Sequence, residues 1–298
     1  MLTNEQRLKR RNGIGGSDVA AICGLSSYKS PIDIYFQKTL DDLEDVSNDN
    51  IWWGNALEEV IVNKYIDTYP QKVLFPDTIE DKEIPFMFAN VDGILEDGAV
   101  LEAKNVGKFT SSKWGQPYSD DIPVEYFLQV AHYVQICKAP YAHIAAYFGG
   151  ADFRVYEYRP NKDIENMIVK KCSTFWNDYV LKQVPPPAIN YCDQLKLYKD
   201  ALKDSSKEIS SEIFSNLINY KETQQSIKKL EEEAEAIKLN ICAFMENNEI
   251  LRSTDGKILA SWKNQKTCRF DLKKFKNEQN DIYVNYLNEK TSRVLRIG

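Results

Sequence analysis

The sequence predicts an α/β fold in which a central mixed β-sheet is flanked by helices and followed by a long helix and a small β extension. Up to residue 182, segments with alternating apolar residues lie between segments with apolar residues at helical spacing. The triple proline at 185–187 then interrupts the chain, because proline cannot continue a helix. A Glu- and Lys-rich amphipathic stretch begins beyond it. We therefore expect two domains, residues 1–187 and residues 188–298.

Local patterns predict the elements of the first domain in order. Helices are expected on both sides of the glycine-rich bend GIGGS within residues 5–40, with Pro31 opening the second. An acidic loop, DDLEDVSNDN, follows at 41–50. The remaining predictions are a helix over 53–69, strand-like alternation over 84–104, a helix over 124–138, two strands over 141–158 joined at Gly149-Gly150, and a helix over about 161–182.

In the second domain, apolar residues recur at three- and four-residue spacing from Ile213 to Phe244. This pattern predicts a long amphipathic helix of coiled-coil type, which could form part of a helical hairpin. Asp255-Gly256 indicates the turn of a β-hairpin after it. The end of the chain is basic: residues 257–298 hold ten Lys or Arg and four Asp or Glu, a net charge of +6 in a chain whose total is −6.

Composition argues against several classes of protein. No apolar run approaches the ~20 residues that a membrane-spanning helix needs, and the N-terminus MLTNEQRLKRRNG lacks the apolar core of a secretory signal. The six cysteines show neither CxxC nor Cys/His metal spacing, so we expect free thiols, no structural zinc or iron–sulfur cluster, and a cytoplasmic location. The negative net charge does not exclude nucleic-acid binding, because a local basic groove is sufficient.

The segment from Val91 to Lys104 carries most of the chemical information. Asp97-Gly98 lies between two β-prone runs and indicates a hairpin. A two-residue loop at this turn would pair Asp92 with Ala103. A three-residue loop ending at the glycine puts that residue at the left-handed position and pairs Asp92 with Glu102.

The apolar residues favour the three-residue loop, because they share one face in that register: Leu95, Leu101 and Ala103. Lys104 then lies on the same face as the two carboxylates. Carboxylates on neighbouring strands can hold a hard cation such as Mg²⁺, and an ammonium group beside them suits the hydrolysis of phosphate esters. A solvated hairpin face, on which Asp, Glu and Lys are common, is the alternative interpretation of this segment alone.

Four segments in order carry a family resemblance: GIGGSD (13–18), WGNALE (53–58), VDG…LEAK (91–104) and QVAHY (129–133). Together they resemble the YqaJ-type viral recombinase nucleases, in the lambda-exonuclease branch of the PD-(D/E)XK superfamily, over about residues 8–185. The resemblance implies a restriction-endonuclease-like core. It also implies a Mg²⁺-dependent DNA exonuclease, with Mn²⁺ able to substitute, that degrades one strand of linear duplex from 5′ to 3′. The 3′ single strands left behind would serve phage-type recombination.

By this resemblance, Asp92 and Glu102 correspond to the metal-binding carboxylates of the family. The main-chain carbonyl of Ala103 corresponds to a further metal ligand. Lys104 corresponds to the catalytic lysine.

Two helices complete the implied site. Glu58 matches the additional acidic residue of the family, with its neighbour Glu59 as the weaker candidate. Gln129 and Tyr133 lie four residues apart, so they share a helical face. They match the QxxxY element of the family, and the resemblance implies that both contribute to DNA binding, with the glutamine positioning the DNA. The alternative interpretation makes Tyr133 a core residue and Gln129 a residue of the helix surface.

The glycine-rich bend is a candidate anion site, because it presents backbone N–H groups and the Ser17 hydroxyl near a predicted helix start. Arg10, seven residues earlier, matches the arginine that binds the terminal 5′-phosphate in related exonucleases. Arg11 is the competing candidate.

Partners and competing functions remain open at this stage. Residues 188–298 could serve oligomer contact, added DNA-binding surface, or docking of a single-strand annealing protein, and the family implies a ring-shaped homotrimer. One competing function is a structure- or site-specific endonuclease with the same core. The other is a DNA- or protein-binding module without catalytic activity.

Overall fold

A computed structural model describes residues 9–40, 48–107 and 110–297 of the chain. The chain divides into two compact units between Leu197 and Tyr198. The sequence analysis placed this boundary after residue 187. The short helix that follows the triple proline lies within the first unit, where Lys196 forms an ion pair with Asp33 at 2.5 Å.

Six helices and seven strands of the first unit have both of their ends within the described residues. The helices are α1 (Gly16–Ile22), α2 (Pro31–Thr39), α3 (Asp49–Thr68), α4 (Val124–Cys137), α5 (Lys162–Thr174) and α6 (Tyr191–Leu197). The strands are β1 (Val73–Leu74), β2 (Ile79–Glu80), β3 (Phe88–Ala89), β4 (Gly93–Leu95), β5 (Val100–Asn105), β6 (Ala142–Tyr147) and β7 (Phe153–Tyr158). A 3₁₀ turn (Ser111–Lys113) and a π-helical segment (Phe175–Val180) complete the unit.

Five strands form a mixed sheet in the order β1-β4-β5-β6-β7. The pair β5/β6 is parallel, and the other neighbouring strands are antiparallel. Strands β2 and β3 pair separately. The predicted α/β class with a central mixed sheet flanked by helices is therefore confirmed.

Alternation along β5 separates two hydrophobic cores. Val100 points into a core formed with α1, α4 and α5 on one face of the sheet. Leu101 and Ala103 point to the opposite face, where they pack with Ile61 and Tyr65 of α3. Because successive strand residues face opposite sides, each residue of β5 is committed to one of the two layers.

The start of α2 agrees with the prediction, and the start of α3 does not. Pro31 opens α2, and its N-cap Ser30 accepts a hydrogen bond from the Asp33 N–H. Helix α3 begins at Asp49, capped by the Asn48 side chain, whereas the sequence analysis began it at residue 53. The end of the predicted acidic loop thus forms the first turn of the helix, where negative charge is favourable. Residues 41–47 of that loop lie outside the described residues.

The second unit is built around one long helix, α7 (Ser211–Met245). The helix is continuous, and no second long helix accompanies it among residues 198–297, so the helical hairpin considered in the sequence analysis is wrong. Strands β8 (Ile250–Arg252) and β9 (Ile258–Ser261) form the predicted hairpin, with Gly256 at φ 84° in its turn. Two short helices follow, α8 (Leu272–Glu278) and α9 (Asn280–Asn285), which the sequence analysis did not predict.

A helix that spans a membrane has to be both long and apolar. Within residues 9–40, 48–107 and 110–297, no helix is both long and apolar enough to span a membrane.

Candidate active site

The β4–β5 hairpin has the register that the three-residue loop predicts. Gly93 pairs with Leu101, and Gly98 has the left-handed φ of 87° that closes such a loop. Asp92 and Glu102 are the next opposite positions beyond this last ladder pair. The hairpin thus brings the two carboxylates to the same face at the end of β4.

Directly before β4 begins, the Asp92 side chain accepts a hydrogen bond from β5 in place of a main-chain carbonyl. The main-chain N–H of Ala103 donates a hydrogen bond to Asp92 Oδ2 at 2.7 Å. The N–H and C=O of one strand residue point to the same side of the strand. The carbonyl of Ala103 therefore also faces the side on which Asp92 lies.

Glu102 lies at the centre of the cluster and is only 3% exposed. Its Oε1 accepts hydrogen bonds from Lys104 Nζ at 2.5 Å and from Gln129 Nε2 at 2.7 Å. Its Oε2 is buried and has no hydrogen-bond partner within the described part of the chain. An unpaired buried carboxylate oxygen costs free energy, so this atom is suited to a ligand that the protein does not itself supply.

Burial and mutual repulsion shape the charges of the cluster. Burial, followed by the nearby Asp92 carboxylate, raises the pKa of Glu102 to about 8. Burial also raises the pKa of Asp92, against the opposing effect of the Lys104 ammonium group. For Lys104, burial acts to lower the pKa, but the Glu102 and Asp92 carboxylates outweigh it and raise the pKa. When its carboxyl groups are ionised, the cluster therefore carries more negative charge than its single ammonium group can offset.

Helix α3 brings Glu58 to the edge of this cluster. Ile61 and Tyr65 bury the same face of α3 against the sheet, and Glu58 lies one turn before them. The residue as a whole is exposed, yet its carboxyl group interacts with Asp92. Partial desolvation of that carboxyl group and the charge of Asp92 raise the pKa of Glu58 to about 7. The structure therefore brings Glu58, rather than Glu59, to the carboxylates.

Helix α4 supplies the polar residues of the opposite wall. Gln129 and Tyr133 are both buried, and Gln129 Nε2 donates to the Tyr133 hydroxyl at 3.1 Å as well as to Glu102. Gln129 is therefore not a surface residue of the helix, as the alternative interpretation held. Its two hydrogen bonds connect the carboxylate with the tyrosine.

The sequence analysis missed Tyr126, one turn before Gln129 on α4. The Lys104 ammonium group lies 5.1 Å from the centre of the Tyr126 ring, within the range of a cation–π interaction. The spacing of Tyr126, Gln129 and Tyr133 at i, i+3 and i+7 places them on one helical face. That spacing was the available signal.

A buried ion pair anchors the glycine-rich bend. Lys38 Nζ lies 2.7 Å from Asp18 Oδ2 and also donates to the main-chain carbonyl of Arg10. Asp18 in turn accepts from the Gly15 N–H at 3.3 Å, so one of the amides predicted to bind an anion already has a partner. Gly16 fits against the Tyr133 ring, where an added Cβ would lie 2.5 Å from a ring carbon.

Arg10 and Ser17 are the residues predicted to bind phosphate, and they lie next to this bend and within it, with the competing candidate Arg11 beside Arg10. Arg10 and Ser17 are exposed, and the positive charge of Arg10 acts on both Asp18 and Tyr133. Arg11 is half-buried and is engaged within the protein. Arg10 is therefore the more accessible of the two arginines.

The carboxylate cluster offers oxygen ligands of the kind that a divalent cation requires. Among the residues that the structure describes, no group of three or more His, Cys, Asp or Glu side chains is arranged to hold a metal ion. Mg²⁺, however, is commonly held by one or two carboxylates and completes its shell with water and substrate phosphate. Asp92 and the unpaired Oε2 of Glu102 fit that requirement.

The central mixed sheet flanked by helices is the arrangement of restriction-endonuclease-like proteins, and the comparisons with known proteins indicate a nuclease. Residues 7–140 match the model of the YqaJ-like viral recombinase domain. The chain is also 28% identical over 294 residues to the protein YqaJ of Bacillus subtilis (strain 168), a similarity that covers 95% of this chain and 90% of that protein. These similarities support a YqaJ-type, lambda-exonuclease-like nuclease and confirm the resemblance that the four motifs carry.

Solved structures share the fold of the first unit. The alkaline exonuclease LHK-Exo from Laribacter hongkongensis has a TM-score of 0.51, and LHK-Exo in complex with dAMP has one of 0.52. Both are 17% identical to this chain, and the similarity covers 61% of this chain and 94% of theirs. At this identity the comparison establishes the fold.

Proposed function

We propose that the protein is a Mg²⁺-dependent exonuclease that degrades one strand of linear duplex DNA from its 5′ end. A 3′ single strand for phage-type recombination would be the product. The observation that carries the proposal is the buried Glu102 carboxylate, held by Lys104 and Gln129 beside Asp92, within a YqaJ-like domain. Polarity and product follow from the family to which the domain belongs.

The cation would be held by Asp92, Glu102 and the Ala103 carbonyl, with Glu58 completing the set. The unpaired Oε2 of Glu102 supports this assignment, since it is the one buried oxygen of the cluster that is left without a partner in the described structure. When bound, Mg²⁺ would activate water for attack and offset charge on the scissile phosphate. Mn²⁺ accepts similar oxygen ligands and is expected to substitute.

The protein's own groups have distinct roles in this proposal. Lys104 supplies the positive charge that faces the scissile phosphate and holds Glu102 Oε1. Gln129 binds the same oxygen, which leaves Oε2 directed toward the ligand. Tyr133 fixes the amide of Gln129 through its hydroxyl. The catalytic set is therefore Asp92, Glu102, Lys104, Glu58 and Gln129.

Dependence on a DNA end rests on the glycine-rich bend. Arg10 and the Ser17 hydroxyl are proposed to bind the 5′-phosphate, and the exposure of both residues supports this role. A guanidinium group binds phosphate through two parallel hydrogen bonds. The ion pair of Lys38 with Asp18 would hold the Arg10 backbone in place.

Digestion of an end-labelled linear duplex tests the proposal directly. The duplex carries either a 5′-phosphate or a 5′-hydroxyl, and each is incubated with Mg²⁺ or with EDTA. We expect mononucleotides released from the 5′-phosphorylated strand in Mg²⁺ only. Lys104→Ala should reduce the rate by ~10²–10⁴-fold, whereas Lys64→Ala, an exposed lysine on α3, should not change it.

Each part of the proposal has its own contradicting result. Absence of Mg²⁺-dependent degradation, or a Lys104→Ala rate equal to wild type, would contradict the catalytic assignment. Equal rates on the two 5′ ends, unchanged by Arg10→Ala, would contradict the assignment of Arg10 and Ser17. Cleavage of covalently closed circular DNA would identify an endonuclease with the same core.

Assembly belongs to the proposal as well. The family implies a homotrimer that encircles DNA, and the exposed apolar residues of α7, such as Ile227 and Leu230, support a role of the second unit in protein contacts. A single-strand annealing protein is the proposed second partner. Light scattering of the purified protein measures the number of chains, and a monomer at micromolar concentration would contradict the trimer.

A further inference from the structure

The segment after β9 is basic, aromatic and open to solvent. It runs from Trp262 to Lys276, and every one of its side chains is exposed except that of Phe275, which is half-buried. Its first part, up to Phe270, has no regular secondary structure, and its second part forms most of α8. None of these residues belongs to the proposed cleavage site.

Charge within this segment is strongly one-sided. Six basic residues face solvent: Lys263, Lys266, Arg269, Lys273, Lys274 and Lys276. The one acidic residue, Asp271, accepts a hydrogen bond from the Lys274 N–H at 2.9 Å and so caps α8. Lys274 also lies 4.0 Å from Glu278, in a pair whose side chains are both more than half exposed. Such a pair contributes little, so a net charge of +5 from six basic groups and one acidic group remains largely unscreened.

The same segment also exposes aromatic side chains. The Trp262 side chain is 53% exposed and that of Phe270 is 71% exposed. Phe270 is tilted against Phe275, with 4.9 Å between ring centres, which holds it at the surface. Lys276 lies 5.4 Å from the centre of the Tyr283 ring. Aromatic and basic side chains are therefore interspersed along one short stretch of chain.

We propose that residues 262–276 bind single-stranded DNA, with the Lys and Arg side chains on the phosphates and Trp262 and Phe270 stacked on bases. Non-specific single-strand sites combine a positive track for the backbone with aromatic platforms for the bases. The two rings are eight positions apart, a distance of up to roughly 26 Å if the chain is fully extended. That length spans several nucleotides.

The rings distinguish this ligand from two others that charge alone would attract. In duplex DNA the bases are already stacked on each other, so a duplex gains from the lysines but not from Trp262 or Phe270. An acidic protein would form ion pairs with the lysines. It does not, however, present a planar group that could stack on each of the two aromatic rings. Only an unpaired strand uses both features of the segment.

Fluorescence anisotropy of the full-length protein in EDTA tests this inference without cleavage. The probes are a labelled oligothymidylate, a blunt duplex of equal length and a labelled polyglutamate peptide. Two variants separate the contributions: Lys263→Gln/Lys266→Gln/Arg269→Gln removes three charges, and Trp262→Ala/Phe270→Ala removes the two rings. The matched control is Lys221→Gln/Lys228→Gln/Lys229→Gln, which removes three exposed charges from α7.

We expect tight binding of oligothymidylate that both segment variants weaken and the control does not. The charge variant should reduce the slope of log affinity against log salt by about 2, since each single-strand phosphate contact contributes ~0.7. The ring variant should lose about 10-fold or more in affinity for oligothymidylate while keeping its affinity for duplex.

Three results would overturn the inference. Oligothymidylate binding that neither segment variant changes would show that the segment is not the site. Duplex binding as tight as single-strand binding, with no effect of Trp262→Ala/Phe270→Ala, would indicate a general basic surface. Preference for polyglutamate would indicate an acidic protein partner. An Asp92→Asn chain that binds normally but does not degrade DNA keeps this test independent of the proposed nuclease activity.

Discussion

Gln129 Nε2 lies 2.7 Å from Glu102 Oε1 and donates a hydrogen bond to it across the space between α4 and β5. The same amide also reaches the Tyr133 hydroxyl, so a single side chain connects the helix with the carboxylate. Because Lys104 occupies the same Glu102 oxygen, the amide and the ammonium together decide which oxygen remains available.

Loss of the Gln129 amide should weaken the binding of the cation rather than destabilise the fold. Gln129→Leu should lower activity at limiting Mg²⁺ by ~10–100-fold, the range typical of residues that orient a metal ligand. Excess Mg²⁺ should recover part of the loss. Titration of activity against Mg²⁺ measures both effects. Gln135→Leu provides the control, since Gln135 lies on the same helix and donates to Asp81. Equal Mg²⁺ dependence in the two variants would contradict the role of Gln129.

The aromatic ring beside Lys104 should matter more than its hydroxyl. Tyr126→Phe keeps the ring and should retain nearly full activity. Tyr126→Leu removes the cation–π interaction and should lower kcat by ~3–30-fold, which corresponds to about 0.5–2 kcal/mol. Single-turnover rates at saturating DNA report this difference. If Phe and Leu behave alike, the ring does not hold the ammonium group.

Protons compete with the cation for the carboxylates, so activity should be higher at alkaline pH. The pKa of Glu58 is about 7 and that of Glu102 is about 8 without a bound cation, so both carboxyl groups are largely protonated below pH 7. Cation binding requires the ionised forms. Activity at low Mg²⁺ should therefore rise from pH 6 to pH 9, and excess Mg²⁺ should move this rise to lower pH. A profile that does not respond to Mg²⁺ would contradict this mechanism.

The same raised pKa values predict an opposite trend for stability. A carboxyl group whose folded-state pKa exceeds its unfolded value favours the folded state at low pH. That advantage is lost as pH rises from about 4.5, the ordinary value, through about 8 for Glu102. The metal-free protein should have a lower Tm at pH 8.5 than at pH 6 from this source. Mg²⁺ should raise the Tm more at pH 8.5, and Glu102→Gln should remove most of that response.

The ion pair under the glycine-rich bend should be important for folding. Lys38 and Asp18 are almost fully buried, so Lys38→Met leaves an unpaired buried carboxylate and should cost about 3–5 kcal/mol of unfolding free energy. Urea denaturation measures the loss. Adding Asp18→Asn should recover part of it. The exposed pair of Lys64 with Asp67 supplies the control, and Lys64→Met should cost less than about 1 kcal/mol.

Local patterns were sufficient to predict the hairpin at the centre of the site. Gly98 and the alternation of Leu95, Leu101 and Ala103 select one register, and both depend only on nearby residues. The i, i+4 spacing of Gln129 and Tyr133 likewise predicts a shared face. What the pattern could not give is the burial of Gln129, because burial depends on the sheet that packs against α4.

Tertiary contacts explain the features that were missed. The ion pair of Lys38 with Asp18 spans 20 residues and carries no periodic signature. Strand β1, of only two residues, exists because it pairs with β4 and has little pattern of its own. The partner of Lys104, Tyr126, comes from a different element, so that contact too needed the folded chain.

Along β5, Glu102 and Lys104 of the site alternate with Leu101 and Ala103, whose side chains pack on the opposite face of the sheet. The position of the Glu102 carboxylate therefore depends on the packing of Leu101 and Ala103 against α3 and of α4 against the other face. Residues 58, 92, 102 and 129 come from four separate elements, and no pair of neighbouring elements assembles them all. A chain in which these elements have not packed together therefore lacks the carboxylate cluster that the proposed nuclease activity requires.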